Sequence, residues 1–255
     1  MRHSTKKVKN NLLFPDDKKK TLHRNLEFTA TEQYKLIRTN LDFTLHEDEK
    51  CPVIGVTSAM RGEGKSTTAI NLSYVLAERG SKVLLIDGDL RIPSIAKKMG
   101  IKSTPGLTDV LMNKEPVQLS DYQSDLLESW YVIPSGEIPP NPSELLSSKR
   151  MESVLKVLKE HFDYIIIDLP PVNIVSDAVA ISSFITGIIV VIREEYTEKK
   201  ELEHCFRQLK LSDVKVLGCV MNETKSGSSS YGKYKKYKYY KYYHTYQSHP
   251  KEDKS

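Results

Sequence analysis

Apolar residues recur along this chain in short runs separated by polar stretches of helical spacing. Residues 52–58, 82–86, 130–133, 164–167, 188–192 and 214–221 are brief aliphatic or β-branched runs bounded by turn residues. They are too short for helices and nearly continuous in their hydrophobicity, the pattern of strands buried on both faces. Between them the periodicity changes. A helix is expected from Thr29, where Thr29-Ala-Thr-Glu32 fits a capping box ahead of Tyr34, Ile37, Leu41 and Leu45. Further helical patterns run to Arg79, in pieces through Met112, and over 143–161, 176–184 and 198–211. Six strands alternating with helices predict an α/β fold, a mostly parallel sheet with helices on both faces.

Composition narrows the class. The 255 residues are 39% hydrophobic and 28% charged, as in soluble globular domains. The longest apolar run, 184–192, is interrupted by Thr186 and Gly187 and falls short of the roughly 20 residues of a spanning helix. The N-terminus has no long apolar core ahead of a small-residue cleavage site, so a cytoplasmic location is expected. Cys51, Cys205 and Cys219 stand too far apart for a metal knuckle, and their odd number suits a reducing compartment.

The net charge of +5 conceals a division into three regions. Residues 1–24 carry +6 and lack periodicity, which reads as a flexible basic arm; residues 225–255 carry another +6, leaving 25–224 at −7. The folded middle is therefore acidic, which argues against nucleic acid as a partner. After the linker-like Lys225-Ser-Gly-Ser-Ser-Ser230, residues 231–246 hold eight tyrosines, five lysines and no aliphatic side chain.

Candidate chemistry sits at the ends of the expected strands. AMRGEGKS (59–66) follows the first strand and opens a helix, and it matches a P-loop except for Ala59 in the first glycine position. Its residues Arg61, Gly62, Glu63 and Gly64 would surround phosphate oxygens with backbone N–H groups at a helix N-terminus. Lys65 would reach the β- and γ-phosphates, with the Ser66 hydroxyl on Mg²⁺ and Thr67 near the α-phosphate. Two further strands end in acids, at Asp87-Gly-Asp89 and at Asp168, placing carboxylates at the ligand-binding edge of the sheet. Asp168 reads as the acid that holds Mg²⁺ through water. Asp87 is placed to hold metal or accept a proton, and Asp89 to share that work. Acids after strands also cap following helices, an alternative open for all three.

Together the P-loop, VLLIDGDLR (83–91), IIIDLPP (165–171), PSGEIPPNPSELL (134–146) and the tyrosine-rich tail resemble the bacterial tyrosine kinases of capsule and exopolysaccharide assembly. That resemblance implies a P-loop NTPase-type fold and an ATP- and Mg²⁺-dependent protein-tyrosine kinase, with Asp87 as metal ligand and base. It implies autophosphorylation on Tyr231, Tyr234, Tyr237, Tyr239, Tyr240, Tyr242, Tyr243 and Tyr246. It also implies a membrane activator of the polysaccharide chain-length-regulator type, which would recruit the kinase to the inner face of the membrane, and a tyrosine phosphatase. Members carry Glu-x-x-Arg-x-x-Arg early in the domain to contact a neighbour in a ring. Here Glu32, Lys35 and Arg38 keep the spacing, but lysine lacks the guanidinium fork. An ordinary solvated helix stripe with internal ion pairs is the other reading of these three.

Asn222, after the last strand, is a candidate adenine contact or a plain turn residue. The tail alternatives are an unmodified basic segment or a stretch stacking on single-stranded nucleic acid. The main competitor for the whole chain is a switch ATPase of the septum-placement or partitioning kind. Those proteins carry lysine at the second P-loop position, which here is Met60. A non-enzymatic scaffold with basic ends is disfavoured by intact Lys65, Ser66 and Asp168.

Overall fold

Six short apolar segments pair side by side into one all-parallel sheet in the computed structural model, which describes residues 26, 28–45, 49–112 and 118–224. Helix α1 (Phe28–Thr44) leads into β1 (Val53–Ser58), followed by α2 (Lys65–Glu78), β2 (Val83–Asp87), α3 (Ile95–Met99) and α4 (Leu107–Leu111). Then come β3 (Trp130–Ile133), α5 (Pro142–Leu146), α6 (Lys149–Leu158), β4 (Tyr164–Asp168), α7 (Asp177–Ala180), β5 (Gly187–Arg193), α8 (Lys199–Leu211) and β6 (Val216–Asn222). The strand order is β3-β2-β4-β1-β5-β6. The basic arm and the tyrosine-rich tail lie outside the described residues.

Strand composition explains why the sheet has two covered faces. Successive strand side chains point to opposite faces. Leu84, Ile86, Ile165, Ile167, Ile188 and Val190 join one apolar cluster with Leu146, Met151, Leu155, Cys205 and Leu209 from α5, α6 and α8. Their alternates Val83, Leu85, Ile166, Ile189 and Val191 join a second cluster with Tyr34 and Leu41 of α1 and the apolar residues of α2. Trp130 is fully buried in the second cluster; its indole N–H donates to Ser73 Oγ at 3.1 Å, and Tyr74 meets it edge-on at 5.4 Å. Cys51 and Cys205 are buried free thiols whose pKa burial pushes up to about 11 and about 12, so neither is a nucleophile.

Several element boundaries differ from the pattern-based expectation. The first helix begins at Phe28, so Thr29 lies inside its first turn and does not cap it; Leu26 packs against the core just ahead. The helix expected over 143–161 is two helices. Ser148 takes an extended conformation (φ −72°, ψ 151°), and its hydroxyl accepts from the Met151 N–H at 3.1 Å, ending one helix and capping the next. The stretch 176–184 divides into α7 and a 3₁₀ turn, Ser182–Phe184, and the last strand starts at Val216, two residues later than expected.

Ser148→Ala removes the α6 cap and is expected to destabilise the domain by about 1 kcal/mol. A lower urea midpoint with an unchanged m-value is the readout.

Candidate active site

All six strands are parallel, so their carboxyl ends open on one edge, and each delivers a loop there. From β1 comes the P-loop. Gly62 and Gly64 take left-handed conformations (φ 81° and 95°), and Gly64 is the N-cap of α2. Glycine is required at Gly64 on two counts: its positive φ, and the 1.9 Å that would separate a Cβ from Asn222 Nδ2.

Next in the sheet, Asp87 and Asp168 are register partners at the ends of β2 and β4, and both are fully buried. Lys65 reaches across from α2, its Nζ donating to Asp89 Oδ2 at 2.8 Å and Asp168 Oδ1 at 3.4 Å. Ser66 also hydrogen-bonds Asp168. Asp87 Oδ2 accepts the backbone N–H groups of Ser94 and Ile95, at 3.1 and 3.0 Å, so this acid does hold the start of α3. Its other oxygen, Oδ1, has no hydrogen-bond partner, and neither has Asp168 Oδ2. Asp89 is saturated by Lys65 and by the Ile92 N–H at 3.0 Å.

Burial of two neighbouring carboxylates sets the electrostatics. Desolvation, then the charge of Asp168, pushes the Asp87 pKa up to about 7, and Asp168 is raised as well, chiefly by its own burial. For Lys65, burial favours loss of the proton, but Asp168 and Asp89 outweigh it and hold the ammonium above its ordinary range.

The two orphan carboxylate oxygens make a fit test for a divalent ion. They are buried, adjacent in register and beside Ser66, which suits a hard cation. No group of three or more His, Cys, Asp or Glu placed to hold a metal occurs among the described residues. Magnesium commonly takes one or two carboxylates and draws its remaining ligands from water and substrate phosphates, so the donor set fits an ion arriving with a nucleotide.

Other sequence candidates are placed as follows. Thr67 is half-buried in the first turn of α2. Arg61 is exposed. The Glu63 side chain does not face a ligand: it is fully buried, accepting the Met60 N–H at 2.8 Å and the Thr197 hydroxyl, so only its backbone is available to a phosphate. Asn222 donates to the Glu63 carbonyl at 3.0 Å. On α1, Lys35 pairs with Glu32 at 3.0 Å, while Arg38 Nη1 turns inward to the Val75 carbonyl at 2.7 Å. The eight tail tyrosines lie outside the described residues.

The sequence assigns no role to two further groups of contributors, although Arg91 and Ser143 lie within the motifs at 83–91 and 134–146. Arg91 grips Asp177 with two bonds of 2.9 and 3.1 Å, and both touch Ser143, joining the loops after β2, β3 and β4. Arg193, Tyr196 and Thr197, after β5, all bond to the P-loop. The only sequence signal of Arg193, Tyr196 and Thr197 is position, at the carboxyl end of an apolar strand.

Similarity to known proteins decides the family. An AAA domain model matches residues 51–217. The chain is 41% identical over 203 residues to the tyrosine-protein kinase YwqD of Bacillus subtilis, covering 79% of this chain and 85% of that one. It is 36% identical over 216 residues to the tyrosine-protein kinase CpsD of Streptococcus pneumoniae serotype 4, covering 82% and 92%. The chain belongs to the bacterial tyrosine-protein kinases. Among solved structures, the chimerical protein CapA2B2 superposes on this kinase with a TM-score of 0.71 at 34% identity, covering 76% of this chain and 84% of that one. The fold is thus the P-loop NTPase type that the resemblance implied, built on the α/β sheet expected from the strand pattern.

The raised Asp87 pKa has a stability consequence. Between its ordinary value near 4 and about 7, the folded state holds a proton that the unfolded state has lost, so ligand-free stability falls as pH rises through that window. Asp87→Asn abolishes this proton uptake. It should flatten that loss and melt higher than wild type at pH 8, with convergence toward pH 5. Thermal melts of both proteins from pH 5 to 8 check it, and a wild-type-like slope in the variant would contradict the assignment.

Proposed function

We propose that this kinase transfers the γ-phosphoryl group of ATP, with Mg²⁺, to tyrosines of its own cluster at Tyr231, Tyr234, Tyr237, Tyr239, Tyr240, Tyr242, Tyr243 and Tyr246. The observation that carries the reading is the pair of buried, half-satisfied acids, Asp87 and Asp168, facing the P-loop lysine. When bound, the ion would supply positive charge to the phosphate oxygens. Asp168, Ser66 and Asp87 would hold it. Lys65 would exchange its carboxylate partners for phosphate oxygens, and the Gly62–Gly64 backbone would fix the phosphate chain. Asp87 would also accept the phenol proton as the tyrosine oxygen attacks. Positioning and charge neutralisation supply most of the rate.

A switch ATPase is the second reading, and Met60 weighs against it. The side chain is partly buried against the apolar core, so the position where such ATPases carry a lysine is used for packing.

The cellular setting follows the same reading: control of capsular or exopolysaccharide synthesis, activation by a membrane chain-length-regulator-type protein, and reversal by a tyrosine phosphatase. No helix among the described residues is long and apolar enough to cross a membrane, which supports recruitment by a partner. Assembly into a ring through α1 is supported by Phe28, Leu36 and Phe43, all exposed on that helix. It would require the Glu32–Lys35 pair to be shared with a neighbouring copy.

Lys65→Met should abolish phosphotyrosine and leave the fold intact, since the ammonium serves anions and not the core. Replacing all eight tail tyrosines with phenylalanine should likewise abolish labelling while ATP binding persists. Incubation with radiolabelled ATP, phosphotyrosine detection and a thermal melt test both; a folded Lys65→Met protein that labels normally overturns the site.

A further inference from the structure

The N–H groups available to phosphate belong to the peptides joining Arg61 to Gly62, Gly62 to Glu63 and Glu63 to Gly64. In a trans peptide the carbonyl and the N–H point in opposite directions, so whatever holds the carbonyl also aims the N–H. All three carbonyls are held, each by a different side chain. The Tyr196 hydroxyl donates to Arg61 O at 3.1 Å, Arg193 Nη1 to Gly62 O at 3.1 Å, and Asn222 Nδ2 to Glu63 O at 3.0 Å. The donors come from the carboxyl ends of β5 and β6, adjacent strands on one flank of the P-loop.

Backbone conformation agrees with this arrangement. Left-handed Gly62 and Gly64 flank Glu63, which is not left-handed, and such alternation turns successive N–H groups into one concavity. The donor loop is itself braced. The Arg193 guanidinium lies 5.0 Å over the Tyr196 ring, the Arg193 N–H donates to Thr197 Oγ1 at 2.9 Å, and Thr197 donates in turn to the Glu63 carboxylate.

We infer that Arg193, Tyr196 and Asn222 are positioning residues that draw three consecutive P-loop carbonyls outward and so pre-aim three N–H groups at the β-phosphate of a nucleotide. Asn222 then acts through the phosphate loop and not through the base. The inference rests on the nucleotide-binding reading above and deepens it by naming what shapes the phosphate site. Released carbonyls could rotate inward and set oxygen lone pairs against the phosphate. The peptide order needed for anion binding thus comes from strands β5 and β6, remote in sequence from the P-loop.

The test uses the full chain with Mg-ADP and Mg-GDP competing against a fluorescent ADP analogue. Tyr196→Phe, Arg193→Met and Asn222→Ala each remove one donor and keep most of the shape. Each should weaken ADP about two- to tenfold, as expected for one lost hydrogen bond. Asn222→Ala should weaken GDP by the same factor, and Arg193→Lys should restore most of the Arg193→Met loss. In tail labelling, KM for ATP should rise with kcat nearly kept, the signature of lost uniform binding. Melting without ligand should be unchanged for Tyr196→Phe, because that side chain is 51% exposed. Full ADP affinity in folded Tyr196→Phe and Asn222→Ala overturns the inference, and a loss confined to ADP returns Asn222 to the adenine. Wild-type chain that binds no nucleotide overturns the nucleotide reading as well, a result separable from normal wild-type binding with unaffected variants.

Discussion

Two carboxylates buried side by side at the ends of parallel strands are the constraint around which this kinase is organised. Desolvating Asp87 and Asp168 together is unfavourable, and Lys65, the Ser66 hydroxyl and the N–H groups of Ser94 and Ile95 offset it only in part. One oxygen of each acid stays without a partner. A fold optimised for stability alone would satisfy those oxygens or replace the acids with apolar residues. Retention of the pair is intelligible if a ligand completes the set. A metal-nucleotide would supply the missing cation to the acids and phosphate oxygens to Lys65, so that binding would exchange one set of counter-ions for another and stabilise the folded state by mass action.

The sheet makes this arrangement rigid. Strand register places Asp87 directly opposite Asp168, and β4 lies between β2 and β1, so Asp168 stands on the strand beside the one that leads into the P-loop and Asp87 one strand further away. Packing on both faces fixes β1 to β5, while the edge strand β6, expected to be buried, has no buried residue; the loops at the carboxyl edge are the adjustable part. Those loops are then tied to one another by charged bonds, Arg91 to Asp177 on one side and Arg193 to Gly62 on the other.

Where side-chain type alone decides structure, the sequence was readable. Strands such as Val83–Asp87 are apolar at every position but the last, and no solvated element tolerates that pattern. P-loop and strand-end acids were equally legible, because phosphate chemistry demands glycine, lysine and carboxylate at fixed spacing. Features set by tertiary contact were not. Ser148 divides a helix because its hydroxyl bonds a backbone N–H that a continuous helix would engage elsewhere, and a serine in a polar stretch announces neither choice. Glu63 sits inside a phosphate-binding motif yet turns its carboxylate to Thr197, over a hundred residues away. Arg193 and Tyr196 bear on the site only because β5 lies beside β1, a consequence of topology.

The charge division links the site to the substrate. Residues 25–224 carry −7 and the tyrosine segment lies within a region of +6, so opposite charges would draw the two together. Each phosphate added contributes about −1.5 to −2 at neutral pH, so roughly three or four phosphates cancel the charge of residues 225–255. Beyond that number the charges of the two regions would repel. Phosphoryl transfer would thus weaken the electrostatic attraction of its own substrate, and the lysines interleaved among the tyrosines set how many transfers that takes. Added salt would screen both the attraction and its reversal.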